Sequence, residues 1–166
     1  MVNIVVGDFG TGKTTYLKNN FVLKTKRDTL IYALISQDFG GLHCERNFKK
    51  YVDLAVTKSN TLFIIDEAKT AIPKQEPDVS RGDFDYKLVT WFLNARKCNN
   101  FIFIVFHSLR EIPIWLISYS DMFIRFRTND LFQHQLNRFQ SFPPIVESIK
   151  EFPNMPNFTW DEITIR

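Results

Sequence analysis

The sequence predicts a three-layer α/β fold on a mainly parallel sheet of five core strands. Two observations carry that prediction. Short apolar runs alternate along the chain with stretches of helical periodicity, the pattern of right-handed βαβ units. The runs are almost unbroken in apolar residues, as strands covered on both faces are.

Taken in order, Val2 to Val6 is rich in β-branched residues and ends at a glycine, so it reads as a buried strand. Lys13 to about Leu23 reads as a helix, with Tyr16, Leu17 and Phe21 on one face. Thr29 to Ser36 is a second strand, and Gln37 to Gly41, with two glycines, a loop. Asn47 to about Val56 places Phe48, Tyr51, Val52 and Ala55 at helical spacing. Thr61 to Asp66 is the third strand. Ala71 to Asp83 carries two prolines and a glycine and reads as a loop or lid. Tyr86 to Lys97 is a helix with Leu88, Trp91, Phe92 and Ala95 on one side, and Phe101 to Phe106 is the fourth strand. Pro113 to Ser118 is a short helix with proline in its first turn. Asp121 to Arg127 is the fifth strand. Phe142-Pro143-Pro144 and the Phe152 to Asn157 stretch then interrupt regular structure. Leu131 to Arg166 therefore reads as an extended Pro/Phe-containing tail with one helical turn at Val146 to Lys150. The expected organisation is a domain over 1–130 and a tail over 131–166 docked on that domain or on a neighbour.

The 166 residues, 45% hydrophobic and 23% charged, suit one globular domain and exclude disorder throughout. A net charge of +3 is too small to argue for nucleic acid by itself. Two cysteines, Cys44 and Cys98, form no CxxC pair, so a reducing compartment is expected and a zinc knuckle is not. No signal peptide is read at Met1 to Gly7. No run reaches the roughly 18 apolar residues that span a bilayer. The 17 phenylalanines accompany abundant Ile, Asn and Lys, which share A/T-rich codons, so they read as base bias rather than an aromatic functional stripe.

The chemistry is concentrated at strand ends. Gly7-Asp8-Phe9-Gly10-Thr11-Gly12-Lys13-Thr14 fits GxxxxGK[ST] without a gap, between the first strand and the first helix. Glycines let successive backbone N–H groups turn inward around phosphates, and the helix start favours the same anion. The expected nucleotide-binding set is Gly7, Asp8, Phe9, Gly10, Thr11, Gly12, Lys13, Thr14 and Thr15. Lys13 is expected on the β- and γ-phosphates of ATP and Thr14 on Mg²⁺. Leu62-Phe-Ile-Ile-Asp66-Glu67 ends an apolar strand in two carboxylates. Asp66 is expected to hold Mg²⁺ through water, and Glu67 to polarise an attacking water. Phe101 to Phe106 closes on His107-Ser108. If this strand lies between the other two, His107 or Ser108 faces the γ-phosphate.

Together these motifs resemble the additional-strand, catalytic-glutamate branch of P-loop NTPases, and within it the FtsK–HerA group. The chain is similar to genome-packaging ATPases of membrane-containing icosahedral viruses and to the zonula-occludens-toxin-like assembly proteins of filamentous phages. The stretch that carries this is Phe92-Leu-Asn-Ala-Arg96-Lys97, the Phe101–Phe106 strand, His107 and Glu111-Ile112-Pro113. Phe106-His107 stands where that group has Thr-Gln, so His107 takes the place of a glutamine sensor. The resemblance covers about residues 1 to 128. It implies the strand order 5-1-4-3-2 and a homo-oligomeric ring, often a hexamer. It also implies double- or single-stranded DNA moved through the pore. Arg96 matches a basic residue that in such rings acts on the neighbour's nucleotide. Arg81, Arg110 and Arg125 are the other candidates for that trans role.

The leading expectation is thus an ATPase that translocates DNA to package or extrude a viral or phage genome, in the host cytoplasm or the virion. Lys74, Arg81 and Lys49-Lys50 are the candidate DNA contacts. A nucleoside or nucleotide kinase is the competing enzyme class, disfavoured by Glu67 after Asp66. A nucleotide-switch assembly factor is the third reading, with residues 131–166 reaching a virion vertex or membrane partner.

Overall fold

The computed structural model describes residues 1–33, 39, 42, 44–126, 144–151 and 159–165. Six parallel strands form its frame: β1 (Val2–Val6), β2 (Asp28–Tyr32), β3 (Cys44–Glu45), β4 (Thr61–Ile65), β5 (Phe101–Phe106) and β6 (Met122–Phe126). Two further strands, β7 (Pro144–Glu151) and β8 (Thr159–Ile165), pair antiparallel with each other, and β8 pairs antiparallel with β6. The sheet order is β3-β2-β4-β5-β1-β6-β8-β7. The five expected core strands lie in it as β6-β1-β5-β4-β2, the order the resemblance implies.

Period-two alternation splits the apolar strands between two cores. Ile4, Val6, Phe63, Ile65, Ile102, Ile104 and Phe106 face a cluster built with α2 (Phe48–Ala55), α3 (Asp83–Asn94) and α4 (Ile114–Ile117). Val5, Leu62, Ile64, Phe103 and Val105 face the other way, onto Leu17 and Val22. These belong to α1 (Lys13–Leu17), which continues as a π-helical turn over Lys18–Val22 with Leu23 N–H donating to the Lys18 carbonyl at 2.9 Å. Each strand thus buries both faces, which explains the continuous apolar runs.

Local sequence accounts for the helix starts. Asn47 Oδ1 accepts from Lys50 N–H at 3.1 Å and caps α2. The α3 helix begins at Asp83, earlier than the expected Tyr86, because Asp83 and Asp85 in the first turn favour its positive end. Lys87 joins the two helices, 2.6 Å from Asp83 and 2.8 Å from Asp53 of α2.

Several expectations change. The Val146 to Lys150 stretch is strand in β7, not a helical turn, because its backbone is paired along β8. β3, only two residues long, was not foreseen. β2 ends at Tyr32, and residues 34–38 of the expected strand and loop lie outside the described residues, as do Arg127 and the tail positions 131–143 and 152–158. The 71–82 stretch is irregular, as expected. It is tied down where Trp115 Nε1 donates to the Pro73 carbonyl at 3.0 Å.

The best-buried polar anchor of the larger core is Tyr51. Its ring is fully buried, and its hydroxyl lies 3.0 Å from the Leu30 carbonyl and 3.1 Å from the Ile64 carbonyl. Burial also raises its pKa well above the usual phenol value, so it stays a donor. Tyr51→Phe removes that donor without changing the packing. Urea unfolding is expected to show a loss of about 1–2 kcal/mol. A variant as stable as the parent would show that the hydroxyl contributes nothing.

Candidate functional site

Parallel order brings the carboxyl ends of β4, β5 and β1 side by side, where ligands of open α/β sheets bind. Asp66 follows β4, His107 follows β5 and Gly7 follows β1. The condition set by the sequence for His107 therefore holds: its strand lies between the other two.

The loop after β1 is built on close approaches. Gly7 N–H donates to the Phe106 carbonyl at 3.3 Å. A Cβ at residue 7 would stand 2.5 Å from Phe126 Cβ and 3.1 Å from Thr11 Oγ1, so only glycine fits. Gly10 and Gly12 have φ of +72° and +86°, the left-handed region that favours glycine. Thr11 Oγ1 donates to the Asp8 carbonyl at 2.8 Å and closes the loop. Lys13 is buried, and its Nζ donates to the carbonyls of Gly7 at 2.6 Å and Asp8 at 2.7 Å. Burial pushes Lys13 down to about 8, against Asp66, Asp8 and Glu111, which pull it up. Thr15 is exposed in the first turn of α1.

Thr14 Oγ1 donates to Asp66 Oδ2 at 3.1 Å, so a hydroxyl and a carboxylate oxygen from separate elements converge at the helix start. These are hard oxygen donors, and their number fits Mg²⁺, which takes one or two protein oxygens and fills the rest with phosphate and water. No cluster of three or more His, Cys, Asp or Glu side chains capable of holding a metal occurs among the described residues. Asp66 also accepts Glu67 N–H at 3.0 Å. Glu67 takes a left-handed backbone, φ +55°, which is strained for a residue with a side chain. Its carbonyl accepts from Thr70 Oγ1 at 2.9 Å, holding that turn. The Glu67 carboxylate itself has no hydrogen bond or ion pair among the described residues.

His107 is stacked beneath Phe9, with ring centroids 3.7 Å apart and planes at 18°. Both imidazole nitrogens are shut from solvent and have no partner among the described residues. Burial first, then the Lys13 ammonium, hold this imidazole below the ordinary histidine value, against Glu111, Asp66 and Glu67. Glu111 was singled out only as part of a turn, yet it organises this corner. It accepts His107 N–H at 3.2 Å and pairs with Lys69 at 2.8 Å. The signal available was a carboxylate five residues after a strand end.

The arginines are dispersed. Arg96 pairs with Asp121, whose other oxygen accepts Val2 N–H at 2.7 Å. That pair sits where β1 and β6 begin, at the opposite edge from Gly7. Arg81 pairs with Asp78 at 2.9 Å in the irregular loop. Arg125 lies in β6, opposite Asp161 of β8 in register. Arg110 is exposed and without a partner among the described residues. It lines a 530 Å³ cleft with Lys74, Glu76, Glu111 and Trp115. Lys49 and Lys50 are exposed on α2.

The fold and this arrangement define a P-loop NTPase architecture. Solved structures agree in shape. The chain is similar to the genome packaging NTPase B204 from Sulfolobus turreted icosahedral virus 2 in complex with ATP-gammaS. The identity is 14% and the TM-score 0.66, covering 84% of this chain and 81% of that one. It is also similar to B204, the DNA-packaging ATPase from Sulfolobus turreted icosahedral virus, at 14% identity and a TM-score of 0.60 over 84% and 80%. EssC (ATPases 2 and 3) from Geobacillus thermodenitrificans matches at 11% identity and a TM-score of 0.55, over 98% of this chain and 39% of that one. No family model and no curated protein matches the sequence.

The lowered pKa of Lys13 has a measurable sign. A bound triphosphate favours the charged ammonium, so binding takes up a proton wherever the free lysine is neutral. ATP affinity is expected to be nearly level up to neutral pH. Above the lysine pKa of about 8 it should fall, approaching tenfold per pH unit. Calorimetry in buffers of different ionisation heat reads the proton uptake. Constant affinity across that range would mean that Lys13 keeps its proton in the free protein.

Proposed function

We propose that this chain is an ATP-hydrolysing motor that moves DNA, of the genome-packaging class. The observation that carries the reading is the convergence of Lys13, Thr14 and Asp66 beside an unpartnered Glu67. Its fold likeness to B204, a genome packaging NTPase, supports the substrate class.

In this reading the Gly7–Thr14 loop cradles the phosphates of ATP, and Lys13 turns from the loop carbonyls to their oxygens. Thr14 and, through water, Asp66 would hold Mg²⁺, which would neutralise phosphate charge when bound. The Glu67 carboxylate accepts a hydrogen bond from a water in line with the γ-phosphorus. The new phosphorus–oxygen bond forms as the bond to the β–γ bridging oxygen breaks. His107, kept neutral by burial and Lys13, has one N–H to donate to a γ-phosphate oxygen, the role of a phosphate sensor. No helix among the described residues is long and apolar enough to cross a membrane. The reading places the protein in the virion or host cytoplasm, as a homo-oligomeric ring of hexamer type. The 131–166 segment is its contact to a virion vertex or membrane partner.

Hydrolysis should rise more steeply than protein concentration, increase with double-stranded DNA, and vanish in Glu67→Gln while ATP binding persists. Activity proportional to concentration and indifferent to DNA would instead favour a kinase or a nucleotide switch.

A ring active site draws an arginine from the neighbour, and such a residue is worth about 10³ to 10⁵ in rate. Arg96 occupies the helix end that the resemblance singles out, but acting there requires leaving Asp121. Arg110 is already unpartnered at the carboxyl edge of the sheet. Arg110→Ala is expected to lower assembled turnover by at least about 10³ with ATP affinity intact, whereas Arg96→Ala should mainly lower the unfolding temperature. The opposite pattern in turnover and melting would assign the trans role to Arg96.

A further inference from the structure

The edge of the sheet opposite the phosphate loop holds a second concentration of charge. The loops that precede the parallel strands meet there, over residues 23–28, 56–60, 95–100 and 118–121. They carry Lys24, Lys26, Arg27, Lys58, Arg96 and Lys97 against Asp28 and Asp121, in a chain whose whole net charge is only +3. Asp121 is already engaged by Arg96 and the Val2 amide.

Arg27 is the hub of this edge. Its guanidinium donates to Asn60 Oδ1 at 2.9 Å, to Asn99 Oδ1 at 3.2 Å and to the Asn99 carbonyl. It also lies 4.7 Å over the Phe101 ring. Asn60 and Asn99 both take left-handed backbones, φ +51° and +54°, and Asn99 Nδ2 donates to Asn60 Oδ1 at 3.0 Å. Three loops are thereby stitched into one platform. Lys26 adjoins Arg27, Lys58 comes two residues before Asn60, and Lys97 two before Asn99, so all three belong to the loops that the hub ties together. All three are exposed and have no partner among the described residues. Arg27 itself lines a 220 Å³ cleft together with apolar Phe21, Leu62 and Phe101 and polar Asn20, Lys24 and Thr25. Gathering like charges on a rigid centre costs repulsion that an extended polyanion relieves.

We infer that this amino edge is a nucleic-acid surface on which Lys26, Lys58 and Lys97 around Arg27 take the phosphate backbone of DNA. The inference rests on the DNA-motor reading. It moves the contact away from Lys74, Arg81 and Lys49-Lys50. None of the three lysines belongs to the ATP site.

The test is fluorescence anisotropy of a labelled random-sequence DNA duplex with the full chain, without nucleotide, over a range of salt. The Lys26→Glu, Lys58→Glu, Lys97→Glu triple variant is expected to bind at least about tenfold more weakly. Its plot of log affinity against log salt should be shallower by two to three units, roughly one per phosphate contact. The corresponding Lys→Gln triple should fall between it and the parent, and DNA-free ATP hydrolysis should stay at the parent level in both. Lys74→Glu with Arg81→Glu should leave duplex affinity within about threefold of the parent, since surface charges away from the contact add only a weak, screened field. A parent that binds no duplex would defeat the motor reading and the inference with it. A parent that binds while the triple variants bind equally well would overturn the inference alone. Loss of binding to phosphatidylserine vesicles with DNA affinity unchanged would also overturn it, marking a membrane-facing surface instead.

Discussion

The contact that the site depends on is the approach of Gly7 to Phe126 and to the end of β5. With no side chain at residue 7, β1 can deliver its chain directly against β6 while its amide reaches the Phe106 carbonyl. The loop then starts from a fixed point and must turn back over the sheet. That turn needs the left-handed backbones of Gly10 and Gly12 and directs Lys13 inward onto the Gly7 and Asp8 carbonyls. It also sets the start of α1, which brings Thr14 to Asp66. A larger residue at position 7 would separate β1 from β6 and carry the loop, the lysine and the hydroxyl with it. The same point explains why the neighbouring strands are so apolar. A loop positioned to tenths of an ångström needs a frame buried on both sides.

That frame leaves the site electrostatically unfinished. A lysine buried beside two loop carbonyls has replaced its hydration with weaker partners, and its pKa falls accordingly. An imidazole with both nitrogens buried and unpartnered is the same condition in a neutral group, at a cost of about 1–3 kcal/mol for each unsatisfied atom. Phe9 stacked over His107 keeps water from repairing it. Phosphate oxygens are acceptors and carry negative charge, so one ligand would answer both the lysine and the single N–H of the neutral imidazole. The site is therefore tuned to an anion by what it lacks as much as by what it presents.

Much of this was legible because the signals were local. The phosphate loop, the Asp66-Glu67 strand end and the five core strands each occupy a short contiguous stretch whose composition states its role. What was missed depends on distant pairing. β3 is too short for any periodicity, and β7 and β8 are disguised by the prolines around them and are strands only because they pair with each other and, through β8, with β6. The tie from Arg96 to Asp121 spans 25 residues, and no spacing rule announces it. Glu111 was visible as a residue but not as the acceptor of the His107 amide. The 71–82 stretch was legible as a loop, because prolines speak locally. Its attachment through Trp115 was not.

A parallel sheet sorts residues by direction. Every loop after a strand lies at one edge, and every loop before a strand at the other. Here the first edge holds the phosphate loop and both site carboxylates, and the second holds the cations around Arg27. A five-residue strand separates them by roughly 17 Å, beyond a physiological Debye length of about 8 Å. Two polyanionic ligands bound at the two edges would barely compete electrostatically, so any coupling between them has to be mechanical. The direct link is β5, which begins at Phe101 beneath Arg27 and ends at Phe106, the residue before His107. β5 is hydrogen-bonded on both sides, to β4 and β1, and cannot slide alone without breaking two ladders. Force at the amino edge would thus move the sheet as a body relative to whatever stands across the cleft at Arg110. Under the proposed motor function, such a frame would convert nucleotide chemistry into displacement at a boundary between subunits, not into deformation within one.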